Sequence, residues 1–172
     1  MTFCFAVTIT ILNIMPKIKK DCLICNRISL IKKGENPYFV IELKSSYVVL
    51  GDNQFYKGYT LVLSKIHSSE LHLLPKSSKQ TLLKEVSVIG EAVYKTFHPK
   101  KLNYELLGNE AEHVHWHIFP RYKNDPNPTM PVWIVDKSIR NSEKSIPTKG
   151  KLKEYKKRLL LTIKNIYQNN IS

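Results

Sequence analysis

Three of the chain's six histidines stand at alternate positions in the stretch "HVHWHIF", as His113, His115 and His117. If 113–119 is a β-strand, its side chains alternate between two faces. The three imidazoles then share one face, while Val114, Trp116 and Ile118 take the other. Imidazoles about 7 Å apart along one ridge can divide the work of nucleophile, phosphate clamp and proton carrier, because histidine titrates near neutrality. A neutral ring nitrogen can attack phosphorus, and the phosphoramidate so formed splits one hard displacement into two easier ones. The same row of imidazoles can instead bind a metal, and spacing alone does not separate the two uses.

The elements that must hold this row are legible around it. "PYFVIEL", "SYVVL" and "YTLVLS", between residues 37 and 64, are rich in β-branched and aromatic residues and predict a three-stranded meander. In "SSKQTLLKEVSVIGEAVYKTFHP", Leu82, Val86, Ile89, Val93 and Phe97 recur at intervals of three and four, the apolar face of a helix. Ser77 or Ser78 is expected to cap it, and Pro99 to end it. "KLNYELL" and "EHVHWHIF" predict two more strands flanking a turn at Gly108-Asn109. Strands, one long helix, then adjacent strands predict an α+β fold with an antiparallel sheet and the main helix on one face. A Pro-rich stretch at 124–131 leads out of that unit. The basic segment beyond it predicts a helix docked by Leu152, Tyr155, Leu159 and Ile163. The expected organisation is an extension at 1–20, a domain at 21–135 and a basic tail at 136–172.

Bulk properties narrow the function less. The 172 residues suit one domain with a real core. The net charge of +13 favours anionic partners, although a Lys-Ile-Asn bias accounts for part of it without any function. No recognised nucleic-acid module accompanies the charge, so no specific nucleic-acid partner is expected. Three cysteines, Cys4, Cys22 and Cys25, are too few for a disulfide framework and point to a reducing cytoplasm. The apolar run "MTFCFAVTITILN" lacks the basic flank of a signal peptide and is shorter than the roughly 20 residues that span a bilayer, so no membrane partner is expected. Residues 1–14 read as a tail or an over-extended start before Met15. The six glycines, at 34, 51, 58, 90, 108 and 150, form no phosphate-binding glycine loop. His72, His98 and Glu112 are expected at the surface, and Arg121 could neutralise a distal phosphate but is expected as a solvated strand end.

"HVHWHIF" resembles the alternating signature of the histidine triad family of nucleotide hydrolases and transferases. The likeness extends to "CLIC" at 22–25 and to residues 48–75, which end a strand-turn-strand segment with Lys65-Ile66-His67. Residues 102–133 are similar to the bacterial branch often described as diadenosine polyphosphate hydrolases. The resemblance implies His115 as the nucleophile, His117 as the α-phosphate ligand and His113 as a support behind them. It implies nucleotide-binding roles for Asp52, Asn103, Gly108 and Asn109. The chain departs from many relatives at Tyr59, where they carry a histidine, and at Glu112, where a proline is frequent.

That family likeness implies a nucleotide hydrolase that cleaves a dinucleoside polyphosphate through a nucleotidyl-histidine and acts as a homodimer. Phosphoramidate hydrolysis and phosphorolysis are the rival chemistries, and a non-catalytic nucleotide-binding module is the rival of another kind. Cys22-Leu-Ile-Cys25 has the spacing of a zinc half-site, and two small buried thiols are the equally weighted alternative. By resemblance His67 and His113 complete the half-site, giving a structural zinc site beside a reaction that requires no cofactor.

Overall fold

Cys22 starts the first helix. Its thiol accepts from the Cys25 amide at 3.4 Å, and Ile24, Ile28 and Ile31 bury one face of α1 (Leu23–Lys32). This helix is absent from the sequence expectation above, although its apolar intervals of four and three and the Gly34 stop carry the signal. The structure, a computed structural model, describes residues 21–169. The apolar run at 1–14, Cys4 and Met15 lie outside the described residues.

β1 (Phe39–Glu42), β2 (Ser46–Leu50) and β3 (Thr60–Ser64) form the expected meander, with a register shift between Phe39 and Ile41. The chain then crosses through α2 (Lys76–Phe97) to β4 (Lys101–Glu105) and returns as β5 (His115–Arg121). The antiparallel sheet has the order β1-β2-β3-β5-β4, so β5 is an interior strand, flanked by β3 and β4. The fold is the α+β arrangement expected.

Alternation sorts the sheet into two faces. Val48, Leu50, Val62, Trp116 and Ile118 meet the α2 stripe of Leu82, Val86, Ile89, Val93 and Phe97 in the main core. Tyr47, Val49, Leu61 and Leu63 face α1 instead. After the Pro-rich stretch come the short helix α3 (Lys137–Arg140) and the long helix α4 (Lys149–Asn169). Tyr155, Leu159, Ile163 and Ile166 of α4 are buried in the same core as α2. The apolar stripe docks as expected, but the boundary at 135 does not isolate a tail, because α4 completes the main core.

Two local expectations are corrected. α2 begins at Lys76 with Pro75 before it, and no side chain caps it, so Ser77 and Ser78 lie inside the helix. Proline's fixed φ leads the chain out of the turn Leu71–Leu73 directly into helical geometry. The strand at the histidines begins at His115, and His113 precedes it: the Val114 amide donates to Ser68 O rather than to the β3 ladder.

Candidate active site

His115 and His117 project from β5 opposite Leu63 and Leu61 of β3, on the face that looks toward α1. They line a cavity of about 720 Å³ whose walls include Arg27 of α1, Asp52 and Tyr59 of the β2–β3 loop, and Gly108 and Asn109 of the β4–β5 loop. Sequence reading placed five of these seven residues in the site by position or resemblance; Arg27 it missed, and Tyr59 it noted only as a departure.

The two histidines hold opposite tautomers. Nδ1 of His115 lies 2.5 Å from the His113 carbonyl. A carbonyl only accepts, so Nδ1 carries the proton and Nε2 keeps its lone pair. Nδ1 of His117 lies 2.6 Å from the Tyr59 hydroxyl. Burial raises the Tyr59 phenol above its ordinary range, so it keeps its proton, and the hydroxyl has no other hydrogen-bond partner among the described residues. Tyr59 therefore donates to Nδ1, and the His117 proton sits on Nε2. One ring offers a nucleophilic nitrogen and the next offers a donor. Burial keeps both rings neutral, pushing His117 down to about 4 and lowering His115, with Arg27 adding to the effect at His115.

Tyr59 is fixed from both sides. Its ring stacks on Phe119 at 4.1 Å and lies nearly parallel to His117. Its other edge packs on Gly51, where an added Cβ would meet Tyr59 Cδ1 at 2.1 Å. Gln54 closes the loop between them: its amide donates to Gly51 O and Tyr59 O, and its carbonyl accepts from Gly58 N. Nothing in the local sequence marks Gln54 for this role, since all three partners are backbone groups.

Asp52 reaches the cavity wall with both carboxylate oxygens bonded to the Arg27 guanidinium, each at 2.6 Å. Each oxygen retains capacity to accept a further hydroxyl. Asn103 is not brought into the lining. Its Oδ1 accepts from Arg121, and the side chain serves that residue instead. Arg121 in turn is buried, against the expectation of a solvated strand end. It pairs with Asp125 at 3.0 Å, donates to Met130 O and Asn127 O, and lies over the Tyr56 ring. A buried guanidinium needs all its donors answered, and here they pin the Pro-rich stretch to the sheet. His72, His98 and Glu112 are exposed, as expected.

Behind the row, His113 is 1% exposed and stands with Cys22, Cys25 and His67. Its Nε2 donates to Ser64 O at 2.9 Å, which turns the Nδ1 lone pair toward the thiols. The two Nδ1 atoms are 3.2 Å apart, and three sulfur–nitrogen distances run from 3.5 to 3.6 Å. A zinc tetrahedron with ordinary bond lengths has edges of about 3.3 Å between nitrogens and about 3.6 Å between nitrogen and sulfur. The donor set therefore fits tetrahedral zinc in both chemistry and spacing.

A five-stranded antiparallel sheet that presents alternate histidines over a cavity, two of opposite tautomer and one turned to a Cys-Cys-His cluster, defines the histidine triad class. Residues 33–124, more than half of the chain, match the HIT domain, and the chain belongs to that family. It is 31% identical over 109 residues to an uncharacterized HIT-like protein of Methanocaldococcus jannaschii, covering 60% of this chain and 81% of that one. It is 28% identical over 115 residues to Adenylylsulfatase HINT3 of Arabidopsis thaliana, covering 63% of this chain and 56% of that one. A histidine triad protein of Bradyrhizobium japonicum shares the fold with a TM-score of 0.65 at 22% identity, over 78% of this chain and 95% of that one. So does a zinc-bound histidine triad family protein of Mycobacterium smegmatis, with a TM-score of 0.59 at 18% identity, over 87% of this chain and 97% of that one.

Proposed function

We propose that this protein is a cytoplasmic nucleotide hydrolase that cleaves a phosphoanhydride of a dinucleoside polyphosphate, such as diadenosine tetraphosphate. The observation that carries the reading is the tautomer of His115, whose Nδ1 is committed to the His113 carbonyl so that Nε2 is the nucleophile. Nε2 attacks the α-phosphorus, the nitrogen–phosphorus bond forms, and the bond to the bridging oxygen breaks. The His117 Nε2–H donates to an α-phosphate oxygen, stabilising charge that grows in the transition state. Water then attacks the same phosphorus, releasing the nucleoside monophosphate and restoring the ring. Asp52, Gly108 and Asn109 bind the nucleoside from the cavity wall. Cys22, Cys25, His67 and His113 hold a structural zinc that ties α1 to the back of the histidine row.

Two chains pair through the free edge of the sheet. β4 is an edge strand, with Tyr104 exposed on it and Tyr94 and Leu83 exposed on α2.

The test is chromatography of products after incubating the protein, and its His115→Ala variant, with diadenosine tetraphosphate. AMP and ATP from the wild type alone are expected. Equal turnover by the variant would overturn the mechanism, and no turnover by either would favour a phosphoramidate substrate or a nucleotide-binding module.

A further inference from the structure

The segment after the family match, which ends at residue 124, folds back across the histidine face. Trp133 stands edge-on to His117 and Phe119, and its Nε1–H donates to Glu105, the cross-strand neighbour of His117. The Arg140 guanidinium lies 4.6 Å over the Trp133 ring, and its Nε donates to Val135 O at 2.8 Å. Its two terminal nitrogens make no hydrogen bond or ion pair among the described residues. Arg140 and Lys137 line the same cavity as His115 and His117.

The charges of that wall are answered unequally. Arg27 is paired with Asp52 and Lys137 with Glu110. Both Lys137 and Glu110 are more than half exposed, so their pair is weak and the lysine can turn to another anion at little cost. Arg140 is in contact with no carboxylate among the described residues, although Glu105, Glu110 and Asp136 feel its charge, and its planar group is already immobilised by the indole and the Val135 carbonyl. A fixed guanidinium with two free edges suits a phosphate group, which it can grip bidentately.

We propose that Arg140, assisted by Lys137, forms an anion subsite for the phosphates beyond the α-phosphate, making the site selective for leaving groups that are phosphate chains over leaving groups that are amines. The proposal rests on the hydrolase reading for its catalytic consequence, but the binding it requires stands apart from turnover.

Two measurements test it on the full chain. In a His115→Ala background, the affinities for ATP and AMP are compared with and without Arg140→Met, which keeps an apolar stem against Trp133. Loss of a charge-assisted contact corresponds to a weakening of roughly tenfold to a hundredfold for ATP, with a much smaller effect on AMP. Equal losses for both nucleotides, or none for ATP, overturn the subsite. With His115 intact, Arg140→Met should lower the ratio of kcat/KM for diadenosine tetraphosphate over adenosine phosphoramidate at least tenfold, and Arg140→Lys should recover part of it. An unchanged ratio also overturns the proposal. If the wild type turns over neither substrate, the hydrolase reading fails while the binding comparison still decides the subsite.

Discussion

The Tyr59 hydroxyl lies 2.6 Å from Nδ1 of His117, across 58 positions of sequence. This contact sets which nitrogen of His117 carries the proton. Tyr59→Phe keeps the ring stacked on Phe119 and removes only the proton it donates. The freed imidazole can then adopt either tautomer. The expected result is a fall in kcat of about tenfold to a hundredfold, with a smaller change in KM. An unchanged kcat would show that Tyr59 packs without positioning.

Gly51 gives an independent handle on the same contact. A methyl at this position would collide with the Tyr59 ring, at 2.1 Å from Cδ1. Overpacking of this kind costs about 1–3 kcal/mol, so Gly51→Ala should lower the urea midpoint. It should also reduce kcat in the wild type far more than in the Tyr59→Phe background. Losses that simply multiply would separate the loop from the tautomer.

For the Cys22, Cys25, His67 and His113 cluster, metal analysis of the purified protein should find about one zinc per chain. Chelation or Cys25→Ser should lower the Tm by several degrees, since a metal bound there would join α1 to the segment before β5 across the 91 positions between Cys22 and His113. A drop in rate with the Tm unchanged would assign the metal to catalysis instead.

Acid should destabilise the protein through His117. Its folded value of about 4 lies below the ordinary 6.5, so the unfolded chain takes up a proton more readily. The stabilisation is complete above pH 6.5 and is lost progressively as pH falls toward 4. Urea midpoints measured from pH 7.5 to 4.5 should therefore decline, and His117→Asn should decline less steeply. Parallel declines would place the acid sensitivity elsewhere.

The edge strand predicts the assembly state. Light scattering should report a dimer for the wild type. Tyr104→Glu, which puts a charge on the open edge, should shift it to monomer with the fold retained. A dimer that survives this change uses another face.

Local periodicity made much of this protein legible from its sequence. The period of two in "HVHWHIF" separates His115 and His117 from Trp116 and Ile118, and the three-and-four spacing in α2 and α4 marks the faces that bury. Such patterns depend on neighbours a few residues apart, and backbone geometry alone converts them into faces. The α1 stripe had the same kind of signal, but over ten residues and beside a cysteine pair that suggested metal chemistry first.

Tertiary structure decided the chemistry that those faces carry. The proton of His117 is placed by Tyr59, the Asp52 carboxylate is engaged by Arg27, Arg121 is buried with Asn103 and Asp125, and Arg140 reaches the cavity by a fold-back after residue 124. Apart from the Arg121–Asp125 pair, each joins residues or segments well separated along the chain. A side chain's tautomer, partner or free charge is set by what packs against it, and no local spacing encodes that.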